Sequence, residues 1–157
     1  MDFSGEWAGL AEMVLRGAFL LILYAAADQD RKTGEIENGC WIGIAVLALY
    51  EGFLQTAGIL AGPADWMGRG IGLLAASVPF FVCSLVCPGA FGGGDIKLQA
   101  AIGLFLGWPG AGTALAAALY AAGIYGAVGL LRRQIGCRQS FALGPFLGLG
   151  AALALVV

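Results

Sequence analysis

Apolar stretches of about 20 residues recur along the whole of this 157-residue chain. A helix of that length can cross a hydrocarbon core of roughly 30 Å. Hydrophobic residues make up 60% of the chain and charged residues only 11%. A soluble domain of this size could not cover its surface with so few charges. The sequence therefore predicts an all-α, polytopic membrane protein.

The apolar stretches predict a bundle of about six transmembrane helices that form a single domain over residues 1–157. Glycine and proline turns or charged loops separate the spans. The N-terminus lacks the basic start of a secretory signal, so we expect the first span to be retained. The predicted spans cover about 10–27, 40–61, 66–86, 95–108, 111–131 and 141–157.

The basic residues indicate how these spans are oriented. With the N-terminus outside, the loops after the first, third and fifth spans face the cytoplasm, and they hold six of the eight basic residues. This asymmetry follows the positive-inside rule, so both termini are expected outside. The six on the cytoplasmic side are Arg31, Lys32, Lys97, Arg132, Arg133 and Arg138, against Arg16 and Arg69 on the other.

Two aspartates border the membrane at the same predicted depth. Asp30 follows the first span and Asp95 begins the fourth, both on the cytoplasmic side. Each has an ordinary interpretation alone: Asp30 as a solvated acid at a helix end, and Asp95 as a helix N-cap after a flexible loop. Together they supply the minimum for aspartyl hydrolysis, in which an ionised carboxylate activates water and a protonated one polarises the scissile carbonyl.

Three glycines, Gly92, Gly93 and Gly94, stand directly before Asp95. Ordering glycine costs much backbone entropy, so three together are a poor choice for stability at the start of a helix. They suit a place where another backbone, such as that of an extended substrate, approaches the carboxylate. Two interpretations of Lys97 stay open. It either tunes the electrostatics of this site or docks the substrate, or it reaches to lipid phosphates.

We expect neither a metal nor any other cofactor. The chain has no histidine, and its cysteines, Cys40, Cys83, Cys87 and Cys137, are scattered. Cys83 and Cys87 lie one helical turn apart in an apolar run, which favours small buried hydrophobic residues over a metal or redox pair. A net charge of -2 gives no basic surface for nucleic acid. Glu51 and Arg16 lie within predicted spans, where we expect a structural ion pair across helices, or a neutral Glu51, rather than catalysis. Glu12 and Arg16, four residues apart on one helix face, offer another pairing.

The segment 92–107 closely resembles the Gly-x-Gly-Asp signature and following helix of the type IV prepilin peptidases, which include the related archaeal preflagellin peptidases. The segment 30–38 is similar to the family's other aspartate region, except that Glu37 replaces the usual proline. Matching Ile36 and Asn38 to that region places the second catalytic acid at Asp30, with Asp28 as a neighbour. The segment 141–150 resembles the family's last helix.

The resemblance implies a membrane aspartyl endopeptidase that removes the short basic leader from prepilin-like precursors at the cytoplasmic membrane face. Long members also carry an N-terminal domain with paired Cys-x-x-Cys motifs and methylate the product. This sequence has neither, so cleavage without methylation is implied. Glu35 and Glu37 have two open interpretations, attraction of the basic leader and an ordinary solvated loop face.

Two alternative functions would require other sequence features. Presenilin-like and signal-peptide-peptidase-like proteases pair the same motif with Tyr-Asp, which does not occur here. A non-catalytic scaffold or small transporter would use the acids as a proton or cation site, usually near the membrane midplane.

Within the peptidase hypothesis, the dipoles of the first and fourth helices favour Asp95 as the resting base and Asp30 as the resting acid. The oligomeric state is left open.

Overall fold

The computed structural model describes residues 3–60, 62–86, 91–132 and 143–156, and within them the protein is all-helical. This confirms the all-α part of the predicted fold class. Several predicted features lie outside the described residues, namely the end of the third span at 87–89, the basic residues Arg133 and Arg138, and the start of the sixth span at Phe141. The helices are α1 (Phe3–Thr33), α2 (Asn38–Thr56), α3 (Trp66–Val86), α4 (Gly93–Leu131) and α5 (Gly144–Ala154).

Four helices in the described part of the chain, α1 to α4, are long and apolar enough to cross a membrane. The fifth, α5, has 11 residues and extends over roughly 16 Å, which is less than the thickness of a hydrocarbon core. The chain is therefore an all-helical, multi-pass membrane protein. The sequence predicts about six spans, and the difference from four arises in α4 and α5.

The long helix α4 contains a backbone break. Gly107 has φ 65° and ψ -174°, and Trp108 is extended, so two helical segments, 93–106 and 109–131, meet there. The break coincides with the predicted boundary between the fourth and fifth spans. Gly107 suits this position because an L side chain rarely adopts a positive φ.

The end of α1 and the starts of α2, α4 and α5 lie at one end of the bundle, which we call the Asp30 end. Helix α1 stops at Thr33 because Gly34 adopts φ 69° and donates its N–H to the carbonyl of Asp30 at 2.9 Å. Gly94, at the start of α4, packs on Ile36 of the following loop, and Gly144, at the start of α5, contacts Asp30 itself. The α1–α2 loop thus holds the start of α4 beside the end of α1.

The opposite end, which we call the Arg69 end, contains a buried polar cluster. Arg69 of α3 donates to the carbonyl of Ala48 at 3.0 Å and lies 3.4 Å from a carboxylate oxygen of Glu51. It also donates to the carbonyls of Leu104 and Phe105 just before the break in α4. Glu51 therefore forms an ion pair across helices, but with Arg69 and not with Arg16. Arg16 pairs with Glu12 on the surface of α1.

Close backbone contact joins α3 to α4. A Cβ atom at Gly72 would lie 2.5 Å from the carbonyl oxygen of Gly103 and 2.7 Å from the carbonyl carbon of Gly107. In lipid, such small-residue contacts replace the hydrophobic drive that packs soluble helices. Gly72 and Gly103 thus permit the close packing of α3 and α4 at this crossing.

Gly72→Ala is expected to destabilise the protein by about 1–3 kcal/mol, because the added methyl group overpacks a backbone contact. Gly70→Ala on the same helix is the matched control, since a Cβ there meets no atom within 4 Å. Thermal unfolding in detergent measures both. Equal stability of the two variants would contradict the packing at Gly72.

Candidate active site

Asp30 lies in the last turn of α1, and its side chain is buried, with 6% of the residue exposed. One carboxylate oxygen, Oδ2, accepts a hydrogen bond from the backbone N–H of Gly144 at 2.7 Å. A buried acid requires such a partner, because an unpaired carboxylate pays a large desolvation cost. The first residue of α5 thus fixes an acid at the end of α1.

Asp95 lies in the first turn of α4. Its Oδ2 atom accepts the backbone N–H of Gly92 at 3.2 Å, and the N–H of Asp95 donates back to the carbonyl of Gly92 at 3.1 Å. The side-chain bond forms one half of a capping box, and the backbone bond closes the first turn of the helix. The capping interpretation accounts for only one oxygen, however. The other, Oδ1, is buried and has no hydrogen-bond partner among the described residues.

Both acids line one cavity of about 400 Å³ at the Asp30 end, a volume within the range of ligand pockets. The carboxyl groups are near enough that the charge of Asp30 acts on Asp95. The lining residues are Asp30, Gly34, Glu35, Ile36, Gly92, Gly93, Gly94 and Asp95.

Asp28 and Asp30 lie in different surroundings. The Asp28 carboxylate is 2.6 Å from Lys32 Nζ on the exposed side of α1. It borders a separate groove between α1 and α5, of about 330 Å³. Asp30 faces the cavity that contains Asp95. Although Asp28 and Asp30 are only two positions apart in the sequence, they therefore line different cavities.

The three glycines before Asp95 have different steric surroundings. A Cβ at Gly93 would meet nothing within 4 Å, although the residue lines the cavity. A Cβ at Gly94 would lie 3.1 Å from Cβ of Ile36, and one at Gly92 would lie 3.3 Å from Asp95 Oδ2. The sequence suggested that these glycines allow a substrate backbone to approach. At Gly94 the segment that comes close is instead the protein's own α1–α2 loop.

Gly94→Ala is expected to lower the free energy of unfolding by about 1–3 kcal/mol, because the methyl group presses on Ile36. Gly93→Ala is expected to leave it unchanged or to raise it slightly, since alanine loses less backbone entropy than glycine on folding. Thermal unfolding of the two variants in the same detergent checks this difference. The reverse order of stabilities would contradict the packing of the loop against α4.

Lys97 and Glu37 are engaged elsewhere. The ammonium group of Lys97 lies 5.7 Å from the ring centroid of Trp41, a cation–π contact between α4 and α2. Glu37 accepts a hydrogen bond from the side-chain amide of Gln29 at 2.8 Å. Of the two loop glutamates, Glu35 is the one that lines the cavity.

Sequence reasoning missed one participant, Gly144. The signal available was the Gly-Pro pair at the start of the last apolar stretch, because proline favours the first turn of a helix. Nothing in the sequence indicated that this helix start would meet Asp30. Within the described residues, no group of three or more His, Cys, Asp or Glu side chains is placed to hold a metal ion.

The fold and the cavity together define a class: a multi-pass helical membrane protein with two interacting aspartates at one end of its bundle. Comparison with known proteins identifies the family. The model of the type IV leader peptidase family matches residues 17–128, which is more than half of the chain and includes both acids. The chain belongs to this family.

A curated relative, the prepilin leader peptidase/N-methyltransferase of Bacillus subtilis (strain 168), is 29% identical over 109 residues. The similarity covers 69% of this chain and 44% of the relative, so the chain matches less than half of that protein's length. No solved structure matches the chain significantly.

Proposed function

We propose that this protein is an aspartyl endopeptidase that removes the short basic leader from prepilin-like precursors, with Asp30 and Asp95 as its catalytic pair. The observation that carries the proposal is the meeting of two carboxyl groups from separate helices in one cavity. Family membership supports leader-peptide cleavage as the reaction.

The pair would work by general acid–base catalysis without a covalent intermediate. One aspartate, ionised, takes a proton from water as the water oxygen attacks the scissile carbonyl carbon. The other, protonated, donates to the carbonyl oxygen. As the diol collapses and the C–N bond breaks, one aspartate gives its proton to the leaving nitrogen while the other takes the proton of a diol hydroxyl. The acid pair thus again holds one shared proton.

The proposed topology has six passes, with the segments 93–106 and 109–131 counted separately and α5 belonging to the last. The protein then lies in the cell membrane with both termini outside, and the Asp30 end faces the cytoplasm. The positive-inside asymmetry supports this orientation. The whole chain is proposed to act as one domain, and side chains of all five helices contribute to one buried cluster.

The cavity has an acidic character that suits a basic leader. Its ionisable lining residues, Asp30, Asp95 and Glu35, are all acidic. Glu35→Gln is expected to raise KM for the precursor about two- to fivefold with little change in kcat, because one exposed charge contributes only modest attraction. Glu37→Gln is the matched control in the same loop, and an equal effect of both would contradict recognition by Glu35.

The proposal is tested by incubating the purified protein in detergent with a prepilin-like precursor whose leader is basic and precedes a hydrophobic helix. Mass spectrometry of the product is expected to find one cut between leader and helix, lost in both Asp30→Asn and Asp95→Asn. A scaffold or proton-conducting carrier would leave the precursor intact. Absence of cleavage by the folded wild-type protein against a panel of such precursors would refute the proposal.

A further inference from the structure

The contact between Gly144 and Asp30 joins residues that are 114 positions apart in the chain. Its length, 2.7 Å, falls in the range of charge-assisted hydrogen bonds, in which a backbone N–H supports an ionised carboxylate. The donor is the first residue of α5, where helix N–H groups have no partner within the helix and the dipole favours negative charge. Asp30 therefore lies against a helix start as well as at the end of its own helix.

Only glycine fits at position 144 without displacing the acid. A Cβ there would lie 2.8 Å from Asp30 Oδ2 and 2.9 Å from Asp30 Cβ. Helix α5 has little freedom to withdraw, because a Cβ at Gly150 would collide with the carbonyl oxygen of Ala114 and lie 2.8 Å from the backbone nitrogen of Ala118. Pro145 stiffens the start of the helix through its fixed φ.

The two acids have unequal support. Asp30 receives the short hydrogen bond from Gly144, whereas Asp95 receives a longer one, 3.2 Å, from Gly92. The second oxygen of Asp95 is buried without a partner in the described part of the chain. A protonated carboxyl at Asp95 would place a hydroxyl donor in the cavity, where a substrate carbonyl can accept it.

The other charged groups near Asp30 do not offset this difference. The described part of α5 carries no charged side chain. Asp28 and Arg31 border the other groove, on a different side of α1. The remaining titratable groups of the cavity are Asp95 on α4 and Glu35 in the α1–α2 loop.

We infer that Gly144 is a positioning residue, whose N–H and missing side chain seat Asp30 as the ionised base, while Asp95 holds the shared proton and acts as the acid. The inference rests on the proposed peptidase function. It reverses the assignment expected from the dipoles of the first and fourth helices, because the start of α5 adds a third helix end, aimed at Asp30. Water then gives its proton to Asp30, and the Asp95 hydroxyl donates to the carbonyl oxygen.

Gly144→Ala tests the inference, with Gly148→Ala as the matched control on the same helix, where a Cβ would make only an ordinary 3.9 Å contact. Losing the hydrogen bond destabilises ionised Asp30, so the base binds its proton at higher pH. The acid limb of the kcat/KM profile is expected to move up by roughly one pH unit in Gly144→Ala. Gly148→Ala is expected to match the wild type.

Infrared titration of the carboxyl bands provides a readout that does not depend on cleavage. Bands lost in Asp30→Asn or Asp95→Asn assign the two groups in the resting protein. We expect Asp30 to ionise at lower pH than Asp95, and its midpoint to rise in Gly144→Ala. If Asp95 ionises at lower pH than Asp30 in the wild type, the inference is overturned. This result decides the question even if cleavage is normal, and even if Gly144→Ala does not fold. Absence of cleavage with Asp30 ionising first would count against the peptidase function alone.

Discussion

Asparagine in place of either Asp30 or Asp95 is expected to lower the rate of leader cleavage by at least about a hundredfold, the lower range for loss of a general acid or base. The double variant Asp30→Asn/Asp95→Asn is expected to be little slower than either single variant. Groups that act together on one water molecule give strongly non-additive effects, because removing one disables the other. Single-turnover cleavage of a purified precursor measures all three rates.

Asp28→Asn is the matched control for this pair. Asp28 lies two residues from Asp30 on the same helix, but its carboxylate pairs with Lys32 at the exposed surface. We expect wild-type cleavage in this variant. Loss of activity in Asp28→Asn with activity retained in Asp30→Asn would show that the wrong acid has been assigned. Independent, multiplicative effects of Asp30→Asn and Asp95→Asn would show that the two do not share a reaction step.

The largest expected effect on stability is at the opposite end of the bundle. Arg69→Met is expected to lower the free energy of unfolding by about 3–5 kcal/mol, the range for breaking a buried ion pair. The loss removes hydrogen bonds to the carbonyls of Ala48, Leu104 and Phe105. It also leaves the carboxylate of Glu51 buried without its cation. Reversible unfolding in mixed micelles measures the change.

A second substitution separates charge from packing in this cluster. Adding Glu51→Gln to Arg69→Met is expected to recover part of the lost stability, because the remaining buried charge is removed. Arg16→Met is the matched control, since its ion pair with Glu12 is long, 3.9 Å, and exposed. Such surface pairs contribute about 1 kcal/mol or less. An equally small effect of Arg69→Met would contradict a structural role for the buried pair.

The length of the apolar stretches and the low fraction of charged residues were sufficient to predict the helical class, because lipid requires backbone polar groups to be satisfied within helices. The count of spans was harder to predict. The turn at 108–110 was anticipated from Trp108, Pro109 and the glycine that follows. The backbone there departs from helical geometry at Gly107 and Trp108, so two helical segments meet at this turn.

The candidate site was predictable where a local motif carried it. The glycines and Asp95 form one continuous segment, and Asp30 follows an apolar span at the same expected depth. The contacts of Gly144 with Asp30 and of Gly94 with Ile36 were not predictable. Both join segments that are far apart in the chain, and a single sequence contains no information on which distant backbone will approach a glycine.

The most direct test of the central claim, that Asp30 and Asp95 meet in one cavity, is thiol cross-linking in native membranes. Cys40, Cys83, Cys87 and Cys137 are first replaced by alanine, and the paired variant Asp30→Cys/Asp95→Cys is then treated with a short bifunctional reagent. Mass spectrometry is predicted to find a peptide linking positions 30 and 95, and far less linkage in the control Asp28→Cys/Asp95→Cys. No link between 30 and 95, or equal linkage in the control, would contradict the account.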